Sequence, residues 1–362
     1  MVLPGAALSL AAFALTASSV RAASSYRITD VFNSSNFFTE FDFFTQPDPT
    51  NGFVQYVDAA TANRDGLAGF AQGGVYLGVD HTNTTTTGRS SVRVTSKKAY
   101  TKGLFIADIT HMPAGGSNSN SCGLWPAFWM FGPNWPSSGE IDILEGVNTQ
   151  SSNAVTLHTG AGCSITNAGS IASTKLASPN CQGTQGCSQT THPGTNNYGA
   201  AFNGGGGGIY ALEWTDETIK VWFFPRNSST AALLTSPTPS NSTSTTAPDP
   251  STFGPPLAAF VGGAQCSITQ HFANHNIVFD TTFCGDWAGE VWAADKTCAA
   301  LAPTCEGYVG ENPGAFAEAY WLVKSVRVFE EQQVGGLQTR KAVGRRRERR
   351  VRRGGDGLSW RG

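Results

Sequence analysis

The sequence predicts an all-β protein folded as one large β-sandwich, and three observations carry that expectation. Only 14 % of its 362 residues are charged while glycine supplies 42, and strong helix formers nowhere gather into long runs. Apolar, β-branched stretches of strand length recur along the chain, separated by Gly, Asn, Ser and Thr clusters that read as turns. The length also suffices to bury a substantial core in a single domain.

From the N-terminus, residues 1–22 read as a signal peptide. An apolar run from Ala6 to Ala17 is followed by Val20-Arg21-Ala22, a small-residue cleavage site. The run is too short to act as a spanning anchor, and no later stretch is long and apolar enough to cross a bilayer. A secreted protein without membrane association is therefore expected. Eight cysteines with no C-x-x-C pair favour disulfides over metal sites in such a chain. Sequons at Asn33, Asn83, Asn227 and Asn241 are compatible with secretion.

Between Tyr26 and His111, Phe53–Val57, Val75–Val79, Ser91–Thr95 and Leu104–Ile109 read as strands. Strict alternation in Ser91-Val-Arg-Val-Thr95 turns Val92 and Val94 one way and Arg93 the other. The Phe37-Phe38 and Phe43-Phe44 pairs read as core and cleft lining.

The stretch from Gly139 to Val147 organises the rest. Its carboxylates, Glu140, Asp142 and Glu145, stand among Ile141, Ile143 and Leu144. Plain alternation puts Glu140 and Asp142 on one face and Glu145 on the other. A β-bulge between Asp142 and Glu145 brings all three to one face, and bulges of this kind recur beside active sites. Two carboxylates facing one groove are what glycoside hydrolysis requires, one to attack and one to protonate the leaving oxygen. Asp142 is expected to share a proton or hydrogen bond and to help Glu140 stay ionised. A solvent-facing acidic strand explains Glu140 and Asp142 equally well, but not Glu145. Trp125, Phe128, Trp129 and Trp135 crowd the same segment, which favours a functional cluster.

Gly139-Glu-Ile-Asp-Ile-Leu-Glu145 resembles the catalytic signature of glycoside hydrolase family 16 in its bulged E-x-D-x-x-E form. The flanks Cys122-Gly-Leu-Trp-Pro-Ala-Phe-Trp129 and Thr156-Leu-His-Thr159 strengthen the likeness. Over about residues 26–333 the chain is similar to fungal secreted endo-1,3(4)-β-glucanases of the laminarinase type. The resemblance implies a jelly-roll (concanavalin-like) sandwich of two curved antiparallel sheets with the acids on the concave face. It implies Glu140 as nucleophile, Glu145 as acid/base and Asp142 as the residue assisting Glu140. It also implies that Trp129, Trp135 and Trp287 line the glucan cleft, each offering a ring face to pyranose C–H groups and an indole N–H to hydroxyls. Arg93 reads either as the family's cleft arginine or as an ordinary surface one. His158, on the strand Ala154–His158, reads either as a tuner of the carboxylates or as a structural histidine.

Farther on, the run Gly204–Gly208 lacks the spacing of a phosphate loop. Ile209–Trp214 and Thr218–Phe224 read as a hairpin in which Tyr210, Leu212 and Trp214 share a face. The Ser/Thr/Pro-rich segment 235–252 reads as a long surface loop that contributes no core. Phe283-Cys-Gly-Asp-Trp287 matches the family, and Tyr320–Phe329 reads as its closing strand. Residues 340–362 carry nine Arg and one Lys against one Asp and one Glu, a net of 10 − 2 = +8, so the remainder is near −10. That asymmetry, with no nucleic-acid-binding motif beside it, reads as a solvated, disordered tail over 336–362.

The expectation is therefore one catalytic domain, 23–335, in a monomeric secreted enzyme. It hydrolyses β-1,3- and mixed β-1,3-1,4-glucans internally and with retention, without cofactor or metal and with no nucleic-acid partner. A non-catalytic glucan-binding module and a cell-wall transglycosylase are the competing readings.

Overall fold

The computed structural model describes residues 25–116, 120–165, 174–176, 178–192, 194–236 and 247–332. The expected signal peptide, the basic tail and residues 237–246 of the Ser/Thr/Pro-rich loop lie outside the described residues. In chain order the strands begin with β1 (Ser25–Asn33), β2 (Phe41–Phe43), β3 (Val54–Tyr56), β4 (Ala68–Ala71), β5 (Gly74–Leu77) and β6 (Arg89–Ser91). The middle third holds β7 (Arg93–Tyr100), β8 (Gly103–His111), β9 (Leu124–Phe131), β10 (Glu140–Glu145), β11 (Ala154–His158) and β12 (Thr174–Leu176). The last are β13 (Cys187–Thr191), β14 (Gly208–Trp214), β15 (Thr218–Pro225), β16 (Ala258–Val261), β17 (His275–Phe283) and β18 (Trp321–Gln332).

Sixteen of these strands form two antiparallel sheets of eight. One runs β16-β15-β14-β8-β18-β5-β4 with β1 also paired to β18; the other runs β12-β13-β11-β10-β9-β17-β7-β2. Val94, Phe128, Met130, Ile141, Val155 and Phe279 from the second sheet meet Phe105, Ile109, Leu212, Trp214, Val323 and Val326 from the first in one continuous core. This is the β-sandwich expected from sequence. The α-helices among the described residues have seven residues or fewer, consistent with the missing helical runs.

Around β14 the first sheet is buried on both faces. Every residue of β14 is buried, as suits a strand covered on each side. Its outer face is covered by the helix Ser229–Thr235, capped by the Ser228 hydroxyl accepting from the Ala231 N–H. Ala231 and Leu234 of that helix pack on Leu104, Ile106, Ile209 and Ala211, and Ala247 and Phe253 extend the cover. The expectation that segment 235–252 contributes no core is thus corrected. Ala247 packs on this second cluster and Pro250 is buried, because the chain returning from the loop crosses an apolar sheet face that has to be covered.

All eight cysteines pair, as Cys122–Cys298, Cys163–Cys266, Cys181–Cys187 and Cys284–Cys305. Cys122–Cys298 ties the excursion between β17 and β18 to the residues just before β9, and Cys284–Cys305 closes the excursion onto its own start at the end of β17. There Trp292, Tyr308, Val309 and Phe316 form a small satellite core. The excursion begins with a π-helical turn, Gly285–Gly289, entered from Cys284 at φ +59°. A side chain held at that φ is strained, and the turn it opens carries Trp287.

Candidate active site

The bulge predicted from the carboxylate spacing is present. Asp142 pairs with Trp129 but Leu144, two residues on, pairs with the next residue, Phe128, so Ile143 is the extra one. Ile141, Ile143 and Leu144 all enter the core, while Glu140, Asp142 and Glu145 turn to the opposite face. The core cluster thus accounts for the bulge: it takes two successive apolar residues and returns Glu145 to the face that carries Glu140 and Asp142.

His158 ends β11 directly opposite Glu140. Its Nδ1–H donates to the Gly183 carbonyl at 2.8 Å. That turns Nε2 toward the acids, 3.2 Å from Asp142 Oδ2 and 3.7 Å from Glu140 Oε1. The two carboxylates and the imidazole bring three potential ligand atoms within 4.8 Å of one another. His158 Nε2 is itself within ion-pair distance of both acids, so the set reads as a charge-paired array. Burial alone would push the imidazole down, but the hydrogen bond and charge of Asp142, then Glu140, hold it up at about 10.

The two glutamates differ in what opposes their burial. Burial, then the like charge of Asp142, pushes the Glu140 carboxyl up to about 8, against the pull of His158, the Trp135 indole N–H and Arg93. Burial and Asp142 also raise Glu145, well above the carboxylate range, against the Trp125 N–H and a weaker pull from His158. Glu140 therefore has the richer set of cations and donors, and Glu145 is the acid that holds its proton. Contrary to the expectation from sequence, Asp142 opposes the ionisation of Glu140, because two carboxylates on one face repel. Its help is indirect, by keeping His158 charged.

Arg93 is not an ordinary surface arginine. It is buried, with its guanidinium 4.4 Å from the Phe44 ring centroid and 4.9 Å from that of Trp129. Trp129 in turn donates its indole N–H to Asp280 Oδ1 at 2.7 Å, and Tyr56 donates to the other oxygen at 3.0 Å. Burial raises the Asp280 carboxyl to about 6 despite Arg93, Trp129 and Tyr56. The expectation that cleft tryptophans offer both face and N–H is thus corrected for Trp129: Asp280 takes the N–H, and the ring face remains. Trp135 is 45 % exposed beside Glu140. Trp287 meets Trp125 edge-on at 5.7 Å. Trp125, which the sequence leaves to the core or the cleft floor, reaches the acids directly. Its N–H donates to Glu145 Oε1 at 2.7 Å, and its place at the head of the aromatic stretch was the available signal.

A family profile for the XgeA-like catalytic GH16 domain matches residues 41–329. The chain belongs to glycoside hydrolase family 16. An endo-1,3(4)-beta-glucanase of Arthroderma benhamiae is 45 % identical over 292 residues, which are 78 % of this chain and 60 % of that protein. A probable endo-1,3(4)-beta-glucanase of Aspergillus fumigatus is 43 % identical, again over 78 % of this chain but 42 % of the relative. The chain thus spans about half the length of these two relatives. Among solved structures, GH16 laminarinase 16A of Phanerochaete chrysosporium, with 6-O-glucosyl-laminaritriose in donor and acceptor sites, superposes with TM-score 0.75 at 40 % identity. It is matched over 84 % of this chain and 99 % of its own. A structure described as an elongating GH family 16 beta-1,3-glucosyltransferase gives TM-score 0.74 at 42 % identity, over 84 % of this chain and all of that one.

Proposed function

We propose that this protein is an endo-acting, retaining hydrolase of β-1,3-glucans and mixed β-1,3-1,4-glucans. The observation that carries the reading is the bulge at Ile143, which gathers two glutamates of unequal electrostatic surroundings on one face beside a charged histidine. Glu140, favoured as an anion by His158, Trp135 and Arg93, attacks the anomeric carbon. Glu145, protonated, donates to the departing glycosidic oxygen and then takes a proton from the water that releases the sugar. His158, paired with Asp142, holds positive charge near the nucleophile. Trp129, Trp135 and Trp287 offer apolar surface to pyranose rings, and Arg93 backs the indole of Trp129.

The relatives named as endo-1,3(4)-beta-glucanases and the laminarinase with bound β-glucan support this substrate class. Four disulfides support an extracellular location. The polysaccharide is the one partner the reading requires, acted on by a monomer whose catalytic domain spans 23–335. The relative described as a glucosyltransferase keeps transfer as the second reading, since the same covalent intermediate can pass its sugar to water or to another glucan. Separate digestion of laminarin, lichenan, xyloglucan and agarose with product sizing tests both. The proposal expects short oligosaccharides from laminarin and lichenan; products longer than the starting oligosaccharide favour transfer. No cleavage of any glucan, with binding retained, leaves the non-catalytic module.

A further inference from the structure

The bulge leaves a gap in the sheet. On one side β10 stays paired to β9 past the extra residue, but on the other its pairing with β11 stops at Asp142 and Thr156. The Ile143 carbonyl and the Glu145 N–H consequently lack the backbone partners that a continued β11 would give them. Both are buried, and both need a partner. Asn153, immediately before β11 and itself fully buried, supplies them with its side chain. Its Nδ2 donates to the Ile143 carbonyl at 2.8 Å and its Oδ1 accepts from the Glu145 N–H at 2.8 Å. A carboxamide carries one acceptor and a donor side by side, as a peptide group does, so it stands in for the missing rung of the ladder.

Asn153 is held in turn. Its backbone N–H donates to Thr191 Oγ1 at 3.0 Å, and its carbonyl accepts from the Thr191 N–H at 3.0 Å. Asn197 Oδ1, 3.2 Å from the same hydroxyl, completes the anchor. The chain of contacts thus runs from β13 through Asn153 to the two residues that flank Leu144.

We propose that Asn153 is a positioning residue, fixing the register of the bulge and so the place of the Glu145 carboxyl against Trp125. The inference rests on the hydrolase reading for its kinetic consequence, though not for its structural one. Asn153→Leu keeps the branched outline of the side chain and removes both hydrogen bonds, leaving Ile143 O and Glu145 N–H unpaired. Asn153→Asp keeps the acceptor, loses the donor and places a negative charge beside the Glu145 backbone, so it serves where the leucine variant does not fold.

The test uses the full chain labelled with 15N-tryptophan, with the Trp125 indole signal assigned by its loss in Trp125→Phe. In wild type that signal should titrate with Glu145. In either folded Asn153 variant it should shift, with an upward midpoint in Asn153→Asp. On laminarin, kcat should fall about 10²-fold with KM held within about twofold, the pattern of a misplaced acid rather than of lost binding. A purely structural Asn153 would lower the melting temperature yet leave the Trp125 titration and the kcat of the folded molecules unchanged, and that result overturns the proposal. If the wild type cleaves no glucan, the hydrolase reading fails, and the Trp125 signal alone decides the role of Asn153.

Discussion

Replacing His158 by alanine removes the imidazolium that faces both Glu140 and Asp142, and the distances say how much that should matter. Unit charges about 4 Å apart in an effective dielectric of about 20 attract by about 4 kcal/mol. His158 Nε2 is 3.7 Å from Glu140 and 3.2 Å from Asp142, and each acid feels the imidazolium separately. Glu140 is partly open to solvent, which screens its share of that figure to about 2 kcal/mol, or between one and two pKa units. The sign follows: losing a cation makes the Glu140 carboxyl harder to ionise, and its pKa rises further. The acidic limb of kcat/KM, set by deprotonation of the nucleophile, should move up by about one to two pH units. Glu145 feels His158 less, so its limb should move less and the active window should narrow from the acid side. The assay is reducing-sugar release from laminarin oligosaccharides between pH 4 and 11, with circular dichroism confirming the fold at each pH. A variant whose profile keeps its shape and is merely scaled down refutes the electrostatic role and returns His158 to the structural residues.

Three further outcomes are expected. The folded protein holds the Glu140 carboxyl above its unfolded value of 4.5, at about 8, so the stability linked to that proton is complete below the unfolded value and lost as pH rises through the folded one. Glu140→Gln should therefore flatten the fall in melting temperature over that window and melt above wild type at pH 8; a steeper fall contradicts the assigned burial. Trp287→Ala should weaken glucan binding by about 1–3 kcal/mol with the fold intact, and unchanged kinetics on polymeric laminarin would show that its contact with Trp125 is only packing. With four disulfides, the protein denatured without reductant should yield no titratable thiol, and several free thiols would count against an oxidising compartment.

Much of this site was legible because strand periodicity is a strong constraint. Glu145 breaks the two-residue alternation that Glu140 and Asp142 obey, and a break of that kind within an apolar strand has few physical solutions. Val92 and Val94 entering the core while Arg93 turns away followed from the same rule. What stayed hidden were contacts between residues far apart in sequence. Asp280 accepts from Trp129, 151 residues away, and looks in sequence like any polar residue of an alternating strand. Asn153 reads as a loop residue before β11, because nothing local says that the neighbouring strand has lost a rung. The electrostatic sign of Asp142 was missed for a related reason. Its nearness to Glu140 could be read from spacing and His158 could be read as a tuner of the carboxylates, but not how deeply the acids are buried, and burial magnifies their mutual repulsion.

The central claim is the division of labour between Glu140 and Glu145, and trapping with azide tests it most directly. Loss of activity in either alanine variant cannot separate the roles, since both are needed for turnover. With an activated aryl β-glucoside, Glu145→Ala should still form the glycosyl-enzyme on Glu140. Azide, entering the space the acid/base has left, should release the β-glycosyl azide. Glu140→Ala opens the opposite face of the ring, so azide should give the α-glycosyl azide. Reversed anomers would exchange the two assignments, and full activity in both variants would contradict the account.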